Sequence, residues 1–88
     1  MAESEARVLA AGGNVAVTHL GGRAFPGVHL QGDTFANLRE ALAAAAGRLR
    51  RDPGDGEALD DLDHAVGEMT EVLRFYERVL AERGLRRP

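Results

Sequence analysis

The sequence predicts an α+β fold, a short antiparallel β-meander of two to three strands followed by an antiparallel helical hairpin with a long C-terminal helix. Three observations predict it. Between Ala6 and Gln31, short β-branched and apolar runs alternate with glycine pairs, the pattern of strands joined by tight turns. From Phe35 onward, apolar residues recur at alternating spacings of three and four, the helical period. The two periodic stretches are separated by Asp52-Pro53-Gly54-Asp55-Gly56, where Pro53 cannot continue a helical ladder and the glycines permit left-handed backbone.

Taken in order, the first strand is read at Val8–Ala10, although Glu5–Ala11 is rich in good helix formers and a helical turn is the competing reading. Val15–Leu20 and Val28–Gln31 follow as strands, set off by Gly12-Gly13-Asn14 and by Gly21-Gly22 with Phe25-Pro26-Gly27. Phe25 is expected to anchor that second loop. Asp33 or Thr34 supplies a capping oxygen for a helix over about 34–51, on which Phe35, Leu38, Leu42, Ala45 and Leu49 share one face. The alanine run Ala43–Ala46 lets two elements approach closely. A second helix over about 57–83 carries Leu59, Leu62, Val66, Met69, Leu73, Tyr76 and Leu80 as its apolar seam. Glu57, Asp60 and Asp61 at its start and Arg83 at its end complement the helix dipole, and Gly84 suits the left-handed residue after the last turn.

With 88 residues, 44 % of them hydrophobic and 28 % charged, the chain holds one core, and we read 1–88 as a single domain. The absence of cysteine excludes disulfide frameworks, thiolate nucleophiles and Cys-ligated zinc. No apolar run approaches the roughly 20 residues of a membrane span. The acidic start Met1–Arg7 lacks the basic, then apolar pattern of a secretory leader, so a cytoplasmic location is expected. All 11 basic residues are arginine, which together with heavy alanine use reads as a coding bias rather than a phosphate-binding signature.

Any chemistry would have to come from the histidines, carboxylates and arginines. A symmetric hairpin closed by Gly21–Pro26 would pair Leu20 with Gly27, His19 with Val28 and Thr18 with His29. His19 and His29 then lie on opposite faces and cannot share an ion. His64 falls on the polar side of the second helix. The cluster Asp60, Asp61 and Asp63 lacks the glycine and terminal glutamate of a calcium loop. No carboxylate is recognisably matched with a nucleophile, so no catalytic residue, metal or cofactor is assigned. Arg48, Arg50 and Arg51 end one helix and Arg83, Arg86 and Arg87 the other. In an antiparallel hairpin they do not merge, and with a net charge of −3 nucleic-acid binding is not expected.

The second helix carries more apolar surface than one sheet face can cover, because Ala65, Val72, Phe75 and Val79 widen its seam. We therefore expect a partner-binding surface at Val72, Phe75, Tyr76 and Val79, with a second copy of the chain as its occupant. The functional expectation is a non-enzymatic protein-interaction module that self-associates as a dimer or binds a partner protein. The alternative is a small enzyme or ligand-binding accessory subunit using the sheet face around Thr18, His29 and Gln31.

The stretch Arg23–Leu42 contains Pro26-Gly27 before a strand, Gly32-Asp33-Thr34 at a helix start, and Leu38, Glu40 and Ala41 along that helix. It resembles the strand-to-helix segment of HicB-type antitoxins, and it also resembles a set of small uncharacterised bacterial proteins with the same Phe25-Pro26-Gly27 and Gln31-Gly32-Asp33 signatures. The antitoxin resemblance implies a partial ribonuclease-H-like ββ(β)α unit without nuclease carboxylates, used to bind a toxin partner.

Overall fold

The structure, a computed structural model, describes residues 5–88. The first four residues of the acidic start lie outside the described residues. The elements are β1 (Ala6–Gly12), β2 (Val15–Leu20), β3 (Gly27–Leu30), α1 (Gly32–Arg51) and α2 (Gly56–Glu82). This is the expected α+β arrangement of a three-stranded antiparallel sheet followed by two helices, the second of 27 residues. Residues 6–10 are strand, which resolves the competition with a helical turn. The described chain forms two compact units. One comprises the described part of Met1–Gln31 with Val72–Pro88, and the other Gly32–Glu71.

In the first unit the sheet order is β1-β2-β3, with both neighbouring pairs antiparallel. Gly12 pairs with Val15, which leaves Gly13 and Asn14 as a two-residue turn. Gly13 has φ 61°, the positive first-position angle that a type II′ hairpin turn demands. Register changes between Val8, opposite Thr18, and Ala10, opposite Val17. Leu9 is the additional residue of this β-bulge. The bulge turns two successive side chains, Leu9 and Ala10, toward the core, where strict alternation would send one of them to the other face.

The β2–β3 register differs from the symmetric hairpin expected from sequence. Thr18 pairs with Gly27, Val17 with Val28, Ala16 with His29 and Val15 with Leu30. The shift is two residues, because β2 outruns β3: His19 and Leu20 pair only with Arg7 and Ala6 of β1. The longer connection is pinned locally. His19 Nε2 lies 2.8 Å from the Arg23 carbonyl oxygen, and Arg23 N–H donates to the Leu20 carbonyl at 3.3 Å. An even shift preserves which residues share a face.

The core of this unit is Leu9, Val17, Tyr76, Val79 and Leu80, with Ala10 and Phe75 packed against it. Val17 and Leu80 are fully buried. Two hydrogen bonds fasten the end of α2 and the residue after it to the β2–β3 loop and to β1. Tyr76 Oη donates to the Pro26 carbonyl at 2.7 Å, and Arg83 Nη2 donates to the carbonyl of the bulge residue Leu9 at 2.6 Å. Pro26 is buried, whereas Phe25, the expected anchor of the loop, is more than a third exposed. The β2–β3 loop is therefore held through its backbone, not through the aromatic ring. α2 ends as its sequence predicts. Gly84 has φ 67°, Leu85 N–H donates to the Leu80 carbonyl and Gly84 N–H to that of Ala81, the paired bonds of a Schellman motif.

In the second unit α1 faces the start of α2. Arg48, late in α1, bonds Asp61, early in α2. Thr34, at the start of α1, lines a shallow groove with Glu68 further along α2. The two helices therefore run antiparallel. Ala45, Ala58 and Ala65 are buried in this unit, the small side chains that permit close approach. α1 begins at Gly32, where the Asp33 carboxylate accepts from the Thr34 N–H at 2.8 Å. Asp55 caps α2, accepting the Ala58 N–H at 3.0 Å, and the Asp52 carboxylate accepts the Gly54 N–H to shape the turn.

Candidate functional site

Of the residues expected to bind a partner, Tyr76 and Val79 are 6 % and 3 % exposed and belong to the core of the first unit. Val72 and Phe75 are half-buried. The Phe75 ring lies beside Gly12, 3.8 Å from where a Cβ there would sit, with the Arg78 guanidinium 5.7 Å from the ring centroid. The expected surface is thus largely consumed inside the chain. The physical reason is orientation. Periodicity shows that α2 is apolar over a wide arc, but the sheet takes the flank containing Tyr76 and Val79 and leaves another part of the seam uncovered.

That uncovered part is Leu59 (50 % exposed), Val66 (48 %), Met69 (40 %) and Leu73 (54 %). Leu59, Val66 and Leu73 recur every seven residues, so they point in nearly one direction, with a drift of about 20° per heptad. Scattered exposed apolar residues are ordinary; these are aligned along one helix. A cue lay in the sequence: Ala58 and Ala65 mark where α2 is approached closely, and Tyr76 needs a partner for its hydroxyl when buried.

The alternative residues lie together in part. Thr18, Ala16 and His29 share the sheet face opposite Val17, with His29 exposed and Thr18 half-buried. Thr18 faces Gly27 rather than His29, and Gln31 lies just beyond β3, its N–H donating to the Asn14 carbonyl at 3.0 Å. His19 is on the other face, half-buried. His64 is exposed and 3.1 Å from Glu68. Among the described residues no group of three or more His, Asp and Glu is arranged to hold a metal ion, and no helix is long and apolar enough to cross a membrane.

One polar cluster escaped the sequence reading. Arg48 forks onto Asp55, with Nε 3.2 Å from Oδ2 and Nη2 3.1 Å from Oδ1, and also reaches Asp61 at 3.2 Å and Glu57 at 3.4 Å. Hydrogen bonding to Asp55, supported by the charges of Asp55, Asp61 and Glu57, raises the guanidinium pKa above its ordinary value. Hydrogen bonds from the Ala58 N–H and then from Arg48 hold the Asp55 carboxyl below the usual carboxylate range. The cluster closes the α1–α2 turn and caps α2, a structural role. Two other arginines considered for nucleic acid are similarly engaged, Arg83 with the Leu9 carbonyl and Arg87 with Glu77 at 2.9 Å.

The chain belongs to a family of unknown function, DUF6959, whose model matches residues 1–88. No curated protein and no solved structure matches it.

Proposed function

We propose that this family member is a non-enzymatic protein-interaction module that self-associates through α2. The observation that supports the reading is the aligned exposed row Leu59, Val66, Met69 and Leu73 on a helix whose other apolar flank is already buried. Removing such side chains from water stabilises association by about 25 cal/mol per Å² of apolar surface, before the entropic cost of pairing. A small domain gains proportionately more from that burial than a large one. A second copy offers the same patch and can close it with twofold symmetry.

The test is Val66→Asp combined with Leu73→Asp. On this reading the double variant keeps the wild-type circular dichroism spectrum and is monomeric by light scattering at concentrations where the wild type is dimeric. Equal masses for wild type and variant would remove self-association as the function of this face. A heterologous partner, as the resemblance to HicB-type antitoxins implies, is the other occupant this reading allows. It would show as wild-type monomers whose binding to an identified toxin is abolished by the same two substitutions.

A further inference from the structure

We infer that two copies of the chain pair through α2 in antiparallel orientation about a twofold axis near Met69; this inference rests on the self-association proposed above. At about 100° per residue, Leu59, Val66 and Leu73 occupy an arc of about 40°. Beside them, on the side away from the buried flank, lies a second column within an arc of about 60°. It reads Asp60, Asp63, Gly67, Arg74, Arg78. The column is acidic at its start, uncharged at Gly67 and basic at its end.

A twofold axis perpendicular to a helix sets each flank against the same flank of its copy, running in reverse. Antiparallel pairing therefore brings Asp60 and Asp63 of one copy toward Arg78 and Arg74 of the other, twice over. Parallel pairing brings like halves to the same level and forfeits this complementarity, and charge patterns of this kind fix orientation more than they add affinity. Gly67, exposed and with open space where a Cβ would be, sits near the centre and lets two backbones approach. Glu77 lies at the end of the apolar row and is already paired with Arg87. Arg78 lies 5.7 Å from the Phe75 ring centroid, which draws it to the side of α2 away from the row, so Arg74 is the nearer basic residue.

The chain contains no cysteine, so single introduced thiols report the orientation directly. Asp63→Cys and Arg74→Cys variants are prepared separately, checked by circular dichroism, mixed and oxidised. Antiparallel pairing predicts that the mixed disulfide, joining position 63 of one copy to position 74 of the other, dominates over either self-linked product. Predominant self-linked dimers, or a statistical mixture of products, would overturn the antiparallel arrangement while leaving self-association intact. A wild type that is monomeric by light scattering would instead remove the reading beneath it. As a second readout that retains the helix, Arg74→Glu should weaken association about tenfold, because the twofold repeats each lost pair and adds repulsion. Asp63→Arg mixed with Arg74→Glu should restore it at the affected contact. Unchanged association in Arg74→Glu counts against the inference.

Discussion

Leu73 and Leu80 occupy equivalent positions in the heptad pattern of α2, yet the fold treats them oppositely, which makes truncating each a direct test of the orientation of that helix. Leu80 is fully buried among Leu9, Val17, Tyr76 and Val79, whereas Leu73 is 54 % exposed. Leu80→Ala removes buried methyl groups and leaves a cavity, costing about 2–5 kcal/mol. Leu73→Ala loses only part of a contact and should stay within about 0.5 kcal/mol in the monomer. For a chain of this size each kcal/mol moves the melting temperature by roughly 4–8 °C. Leu80→Ala should therefore lower it by about 10 °C or more, or leave the sheet unit unfolded at room temperature. Leu73→Ala should leave it nearly unchanged. The measurement is thermal and urea unfolding followed by circular dichroism, at protein concentrations low enough to keep the chain monomeric. Equal losses, or a larger loss for Leu73→Ala, would refute the packing of α2 through Leu80.

Tyr76→Phe strips the Pro26 carbonyl of its buried donor and should cost about 1–3 kcal/mol in urea denaturation, with exchange protection lost first in the β2–β3 loop. Gly84→Ala forces a side chain into left-handed backbone and should cost about 1–2 kcal/mol, fraying the end of α2. Because the Asp55 carboxyl is held below its ordinary range in the folded chain, its contribution is present above about pH 4 and lost as pH falls through the folded value. Asp55→Asn keeps an acceptor for the Ala58 N–H but loses the ion pair with Arg48. Its melting temperature should fall less steeply on acidification than that of the wild type, and parallel acid limbs would contradict the role assigned to this pair.

How much of this was legible in the sequence depends on whether the signal was local. The two-residue turn at Gly13-Asn14, the break at Pro53 and the left-handed Gly84 are each decided by one or two residues, and each lies where breaker chemistry puts it. Faces of the β2–β3 pair were legible for the same reason, since the two-residue shift preserves alternation and His19 and His29 lie on opposite sides. The bulge at Leu9 was not legible, because it depends on the match between β1 and the partner strand rather than on Leu9 itself. Nor was the orientation of α2. Val72, Phe75, Tyr76 and Val79 are as apolar as Leu59, Val66, Met69 and Leu73, so periodicity cannot say which row meets the sheet. Only the hydroxyl of Tyr76 finding the Pro26 carbonyl breaks that tie. Arg48 was read as a helix-end charge, and its fork onto Asp55 follows from closure of the turn between them.

The central claim, that the exposed row of α2 is an interface between copies, is tested most directly by sedimentation equilibrium of the wild-type chain over a dilution series from about 100 μM to below about 1 μM. Self-association through this row predicts a mass that rises from the 9.4 kDa of one chain toward twice that value with concentration, at low and physiological salt alike. A single mass of 9.4 kDa across the whole series would contradict it.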